Sequence, residues 1–172
     1  MSISKTANIS PCGRYRYSLE RLWTAAAPLV TWVMLNPSTA DADHDDPTIR
    51  RCMDFSKAWG FAGMAVVNLF AWRATDPAEM KRAVKPVGPD NDTHLMYYAR
   101  NSQEVIAAWG THGAYQDRGR RVLAMLRDLP VSVMGLTAEG HPKHPLYVPK
   151  AVVRSSFYQI AAGAGTREAG EG

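Results

Sequence analysis

The sequence contains little cysteine and no long apolar run, and each of these absences excludes a class of protein. Its 172 residues include two cysteines, Cys12 and Cys52, which are too few for a disulfide framework or a four-thiolate metal cluster. No stretch reaches the roughly 18 apolar residues that a membrane-spanning helix needs. The N-terminus also lacks the apolar centre of a signal peptide. We therefore expect a cytoplasmic protein with no membrane partner.

The composition suits one globular domain with a substantial core, because 46% of the residues are hydrophobic and 21% are charged. We predict a single domain over residues 1–160. The small and polar residues "AAGAGTREAGEG" predict a disordered tail over 161–172. A formal net charge of +4 mildly favours a phosphate-bearing partner, although many proteins without such a partner are equally basic.

Four short apolar runs predict buried strands, and segments with helical spacing lie between them. The runs are "PLVTWVML", "GMAVVNLF", "EVIAAWG" and "PVSVMGL". The helical segments are "DPTIRRCMDFSKAWG", "DPAEMKRAV", "NDTHLMYYARNS" and "AYQDRGRRVLAMLRDL". This alternation predicts a three-layer α/β/α fold with a central, mostly parallel four-stranded sheet. The alternating stretch "GRYRYSLERLW" predicts an added antiparallel edge strand or hairpin near the N-terminus.

Polar residues follow each apolar run, where sites form in open α/β sheets. The strand ends carry Asn36-Pro37-Ser38, Asn68, the stretch 109–112 and the stretch 140–145. An asparagine amide has donors and an acceptor, so it can recognise a nucleobase edge or hold a water molecule. His141 can donate a hydrogen bond to an oxygen that gains negative charge. We therefore expect one polar site along this rim of the sheet.

The strand-end motifs resemble those of the uracil-DNA glycosylase superfamily. The stretches "MLNPS", "AVVNLF", "IAAWGTHG" and "GHPKHPL" occur in the superfamily order, and "DDPTIRRCMDFSKAWGF" is similar to the helix after the first motif in its mismatch-specific branch. More closely, "MLNPSTAD", "DDPTIRRC", "NLFAWRATDP", "VGPDND", "WGTHG" and "GHPKHPLY" resemble the bacterial domain-of-unknown-function family 1643. That second family supplies no activity. The first resemblance implies a sheet of the glycosylase type.

The superfamily resemblance also implies roles for individual residues. Asn36 takes the position that orients the attacking water, Asn68 the position that recognises a flipped base, and His141 the position that stabilises the departing base anion. Pro37 and Ser38 would complete the base pocket. His44 stands nearest to the place of the phenylalanine that stacks on the base in the superfamily, and Leu146 stands near the wedge that fills the duplex. The implied reaction is hydrolysis of an N-glycosidic bond in DNA.

Basic residues near the same rim are candidate phosphate contacts. Arg73 follows the second strand and is the preferred contact. Arg50 and its neighbour Arg51 point about 100° apart on a helix, so at most one of them faces the cleft. Lys143 and His144 are further candidates in the last loop. The acids between positions 41 and 46 would repel a DNA backbone, which keeps a smaller nucleotide open as the substrate.

Two alternatives to the glycosylase-like hydrolase stay open: a binding module and a metal-dependent phosphoesterase. The protein is either a glycosylase-like hydrolase or a catalytically silent module that binds a nucleobase or nucleotide. A metal-dependent phosphoesterase, with His44, His141 and His144 beside the acidic loop, is the weakest alternative because the spacing matches no standard metal loop. We expect no metal and no cofactor, and we expect a nucleic acid or nucleotide as the partner.

Overall fold

The computed structural model describes residues 2–26 and 28–168, which form one seven-stranded mixed sheet with helices on both faces. The strand order is β1-β2-β4-β3-β5-β6-β7. The strands are β1 Ser4–Ile9, β2 Arg16–Leu22, β3 Leu29–Met34, β4 Gly63–Asn68, β5 Glu104–Ala107, β6 Val131–Val133 and β7 Ser155–Ser156.

The four apolar runs form the predicted parallel strands at the centre of this sheet. Strand β3 pairs in parallel with β4 and β5, and β5 pairs in parallel with β6. The predicted N-terminal hairpin is also present, because β1 and β2 are antiparallel and β2 joins β4. The prediction of a four-stranded sheet was too small, since the hairpin and the antiparallel β7 extend both edges. The α/β class is therefore confirmed, with a larger and more mixed sheet than the sequence predicted.

Four helices occupy the segments that the sequence predicted, and a fifth follows them. They are α1 Pro47–Ala58, α2 Pro77–Arg82, α3 Asn91–Arg100, α4 Arg118–Met125 and α5 Phe157–Glu168. Asp46 and Asp76 cap α1 and α2 by accepting backbone N–H groups, with proline at the next position. None of the helices in the described residues is long and apolar enough to span a membrane.

The core has two halves because side chains alternate across the central strands. Trp32 and Met34 of β3 pack with α1 residues such as Cys52 on one face. Val33 packs on the other face with α3 and α4 residues, among them Leu95.

The C-terminal segment differs from the predicted disordered tail. Residues 161–168 continue helix α5, whereas residues 169–172 lie outside the described residues. Phe157 and Ile160 are partly buried against the core and hold the first turn of the helix on the sheet. The alanines that follow have the highest intrinsic helix propensity, which the composition argument underweighted.

Candidate functional site

A cavity of about 860 Å³ lies at the carboxyl ends of the parallel strands. Its wall contains strand-end residues such as Asn36 and Asn68, the first turn of α1 around Pro47, and the last loop around His144. The volume falls within the range of roughly 300–1,000 Å³ that is typical of small-molecule sites. The site therefore forms where the strand-end argument predicted, although only some of the predicted residues reach it.

Asn68 is the most distinctive residue of the cavity wall. It is the last residue of β4 and is 1% exposed, yet neither Nδ2 nor Oδ1 of its side chain has a hydrogen-bond partner within the described chain. An unsatisfied buried amide group costs about 1–3 kcal/mol. A donor and an acceptor are therefore held ready side by side, which matches the edge of a nucleobase.

The backbone around Asn68 is held rigidly by neighbouring side chains. Nδ2 of Asn91 donates to the carbonyl oxygens of Asn68 and Leu69, at 2.8 and 3.1 Å. The buried Arg118 donates from Nε to the same Leu69 oxygen at 2.9 Å and pairs with Asp92. These contacts fix the end of β4, so the Asn68 amide is presented in one position.

Asn36 follows the end of β3 by two residues and lines the same cavity as Asn68, whose register partner on β3 is Met34. Nδ2 of Asn36 donates to the carbonyl oxygens of Ala74 and Pro37, at 2.8 and 3.2 Å. Since both partners are acceptors, the orientation of the amide is set and Oδ1 is left without a donor from the described residues. The arrangement ties the strand end to the next loop and leaves one oxygen able to accept a hydrogen bond from a water molecule.

Two histidines line the cavity: His112, whose Nδ1 lies 3.0 Å from Nζ of Lys81, and His144 in the last loop. Nδ1 of His144 accepts the N–H of Leu146 at 3.2 Å, so Nε2 carries the proton of the neutral ring. Burial lowers the pKa of His144 below the ordinary 6.5, with a weaker opposing attraction from Asp46. The ring is consequently neutral at physiological pH and has one N–H to donate.

His141 is not among the residues that line the cavity. It closes a tight turn in which its N–H donates to Thr137 Oγ1 at 3.1 Å and its carbonyl accepts the N–H of Thr137 at 2.8 Å. Thr137 lines the cavity in its place. The two loop histidines cannot be distinguished from the sequence, because the position of His141 depends on the turn that begins at Thr137.

The loop that carries His144 is held from two sides. Arg51 donates from Nε to Pro145 O at 3.3 Å and from Nη2 to Val148 O at 2.6 Å. On the other side, Gly110 adopts a positive φ of 73° and its N–H donates to Pro142 O at 2.9 Å. Arg51 therefore stabilises this loop by hydrogen bonds, and the loop forms a fixed wall of the cavity.

The predicted phosphate contacts divide into two groups. Lys143 and Leu146 line the cavity, although Leu146 is also 44% exposed. Arg50 does not line it, since its Nη1 donates to Asp45 O at 2.6 Å. Arg73 lines a separate, adjacent depression of about 500 Å³.

Two of the predicted base-binding residues also lie apart from the cavity. Ser38 lines both the cavity and the adjacent depression. Pro37 is buried and contributes its carbonyl to Asn36 and to the N–H of Ala74. His44 does not line the cavity; its side chain is 81% exposed and contacts Asp41 at 3.1 Å. The structure therefore provides no stacking role for His44.

The acidic loop forms internal contacts. The side chain of Asp41 accepts the N–H groups of Asp43 and His44, and these hydrogen bonds lower the pKa of Asp41 to about 2. Asp45 bridges Lys5 and Arg21, at 2.9 and 2.7 Å. The loop is thus a structural connection, consistent with acids that cap and brace the start of α1.

Arg16 is the cavity residue that the sequence argument missed. It lines the cavity, is 2% exposed, and donates one hydrogen bond, from Nη1 to Ala40 O at 2.8 Å. Asn8 pairs with Ser18 while Ile9 pairs with Arg16, so Tyr17 is an extra residue in β2. Such a bulge turns the next side chain to the opposite face of the sheet. Strict alternation would place Arg16 on the same face as Ser18, which contacts Tyr98 of α3, whereas the bulge turns Arg16 toward the cavity at the start of α1.

The described residues that could bind a metal ion do not cluster into a metal site. Within the parts of the chain that the structure describes, no three His, Cys, Asp or Glu side chains converge closely enough to hold an ion. Asp46 is the one acid that lines the cavity there, and it accepts the Ile49 N–H at 2.8 Å as the cap of α1.

Comparison with known sequences identifies a family for most of the chain. The model of the family described as "Protein of unknown function (DUF1643)" matches residues 16–146, a segment that includes Arg16, Asn36, Asn68 and His144. Comparisons with curated proteins and with solved structures gave no match. The chain therefore belongs to the DUF1643 family of proteins of unknown function.

Proposed function

We propose that this protein is a hydrolase that cleaves the N-glycosidic bond of a nucleobase bound at Asn68. The observation that carries the proposal is the buried and unpartnered amide of Asn68 in the cavity wall. No contact within the described chain satisfies this amide, whereas a nucleobase edge offers an acceptor and a donor in the same plane. Binding would therefore remove a cost that the free protein bears.

The surrounding groups support hydrolysis. When the bond between the sugar and the base breaks, its electron pair moves to the base nitrogen, and an N–H donor stabilises the resulting anion. Nε2–H of His144 is the donor in this proposal, and Oδ1 of Asn36 accepts a hydrogen bond from the water that attacks the oxocarbenium-like sugar. The attacking water forms the new bond to the sugar carbon, and the proton that it loses is taken up by the departing base anion, which leaves as the neutral base. The products are a free base and a sugar with a hydroxyl group.

The resemblance to the uracil-DNA glycosylase superfamily supports the same chemistry. All four of its motifs, around Asn36, Asn68, Gly110 and His144, contribute residues to one cavity, and four parallel strands form the centre of the sheet. The role that the resemblance assigned to His141 passes to His144 in our proposal, because His144 belongs to the same loop motif and lines the cavity, whereas His141 does not. In this proposal, His144 therefore donates the hydrogen bond that stabilises the departing base anion.

A catalytically silent binding module is the second candidate. Its supporting observation is the lack of a free carboxylate, since Asp46 is the one acid in the described cavity wall and it caps α1. An amide oxygen activates water more weakly than a carboxylate does. We therefore expect slow turnover if the protein is a hydrolase, and ligand binding without turnover if it is a binding module.

The test is release of free base from a panel of substrates by excess protein. The panel contains nucleosides, nucleotides, and single- and double-stranded oligonucleotides with uracil, hypoxanthine, mismatched thymine or hydroxymethylated bases. Chromatography detects the base, and alkali cleaves abasic oligonucleotides. We expect release that falls by about 100-fold or more in Asn36→Ala and His144→Ala, as is usual for loss of a general catalytic group. Comparison of His144→Ala with His141→Ala decides which histidine acts.

A further inference from the structure

Arg16 and Arg21 are two buried arginines on strand β2 with opposite hydrogen-bonding states. Arg21 is 0% exposed and fully engaged: Nε donates to Asp45 at 2.7 Å, Nη1 to Glu20 O at 2.8 Å and Nη2 to Asp41 O at 2.6 Å. Arg16 donates from Nη1 alone, and its buried Nε has no partner in the described chain. The guanidinium of Arg21 is therefore satisfied by contacts within the fold, whereas that of Arg16 keeps N–H groups that a ligand can use.

The free edge of Arg16 has the geometry of an anion-binding group. Nε and Nη2 form one side of the guanidinium plane, and parallel N–H groups of this kind bind two oxygens of a phosphate or carboxylate. Burial lowers the pKa of Arg16 to about 10, so the group remains charged at neutral pH. No salt bridge within the described chain includes Arg16, and the charges of Asp46 and Asp41 offset part of the cost of its burial without contacting it.

We infer that Arg16 binds the terminal phosphate monoester of a nucleotide whose base lies at Asn68. This inference rests on the proposed function for the identity of the base, and it adds the class of substrate. Arg16 and Asn68 line the same cavity from neighbouring strands, so one small ligand reaches both. The ligand is then a nucleoside monophosphate, or the phosphorylated end of an oligonucleotide.

The depth of Arg16 is the reason for a terminal phosphate. A phosphodiester inside a strand is tethered on both sides, so it cannot reach a guanidinium that is 2% exposed without drawing both neighbouring nucleotides into the cavity. A terminal monoester has one tether and carries more negative charge. The adjacent depression contains two arginines, Arg14 and Arg73, and one acid, Glu79, and it shares Ser38, Thr39, Ala74 and Thr75 with the cavity, so its net charge is positive.

Calorimetric titration of the full chain with matched pairs of ligands tests the inference. Each nucleoside is compared with its 5′- and 3′-monophosphates, and 5′-phosphorylated oligonucleotides are compared with dephosphorylated ones. The charge-assisted hydrogen bonds of Arg16 predict that at least one monophosphate binds about 10-fold or more tightly than its nucleoside. This preference falls to about 3-fold or less in Arg16→Gln and to an intermediate value in Arg16→Lys, which keeps the charge without the two-pronged edge.

Arg21→Lys is the matched control, because it alters a buried arginine on the same strand outside the cavity wall. It should keep the preference for the phosphate even if it lowers stability. Equal binding of nucleosides and monophosphates by the natural protein, no binding of either, or a preference that survives in Arg16→Gln would each overturn the inference. Comparison of free monophosphates with phosphorylated ends then identifies the source of the phosphate.

The outcomes also separate this inference from the proposed function. A phosphate preference without release of base would support the phosphate site and overturn hydrolysis. Release of base from nucleosides and nucleotides at equal rates, without a phosphate preference in binding, would support hydrolysis and overturn the phosphate site.

Discussion

Replacement of Asn68 by leucine should stabilise the free protein and abolish recognition of the base. Leucine places two methyl groups where the amide has Oδ1 and Nδ2, so the shape of the side chain is nearly kept. The amide is 1% exposed, and neither of its polar atoms has a partner within the described chain. Removing an unsatisfied buried polar group removes its desolvation penalty, which mutational series place at about 1–3 kcal/mol.

The expected gain in the free energy of unfolding for Asn68→Leu is therefore about 1–3 kcal/mol. For a chain of this size each kcal/mol corresponds to a shift in Tm of about 2–4 °C. Asn68→Ala should gain less, because the smaller side chain leaves a void beside Val66. The opposite effects on stability and binding would identify Asn68 as a residue kept for function at the expense of stability.

Asn91→Leu is the matched comparison, because Asn91 is also a buried asparagine but donates to two carbonyl oxygens at the end of β4. Its loss leaves those oxygens with fewer donors and should destabilise the protein by about 1–3 kcal/mol. Urea titration monitored by circular dichroism measures both variants, and an unchanged slope excludes effects on the denatured state. If Asn68→Leu were destabilised as much as Asn91→Leu, the amide of Asn68 would have a structural partner and the argument would fail.

Three further predictions concern the walls of the cavity. Because burial lowers the pKa of His144, its ring should gain a proton only as the pH falls below 6.5, and acidification through that range should destabilise the fold; an NMR titration midpoint at or above 6.5 would contradict this. Gly113→Ala places a Cβ 2.1 Å from Cδ1 of Trp109, so thermal denaturation should reveal a loss of about 1–3 kcal/mol, and unchanged stability would refute the packing argument. Arg51→Ala removes two hydrogen bonds from the last loop, and faster amide exchange at residues 146–148 should follow; exchange equal to that of the natural protein would count against the role of Arg51.

The sheet and the helix starts could be predicted because their signals are local. An apolar run that ends in a polar residue, as before Asn36, predicts a buried strand and its end together. Asp46 and Asp76 each precede a proline, and this pair of residues specifies a helix N-terminus without knowledge of the rest of the fold. The parallel arrangement then follows from the alternation of strands and helices.

The residues that the sequence did not reveal depend on irregular or long-range geometry. Arg16 turns inward because Tyr17 is an extra residue in its strand, and no pattern of period two contains that bulge. His144 rather than His141 reaches the cavity because the turn from Thr137 holds the backbone of His141 and Arg51, on another element, anchors the residues that follow His144. Both effects are set by tertiary contacts, which a single sequence does not encode in its spacing.

Single-turnover release of free base from a panel of nucleoside monophosphates, measured with protein in excess, tests the central claim most directly. The account predicts that the natural protein releases a base from at least one monophosphate and that Asn68→Leu, although more stable, releases none. No release from any nucleotide or oligonucleotide by the natural protein, or equal release by Asn68→Leu, would contradict the claim that base recognition by Asn68 leads to hydrolysis.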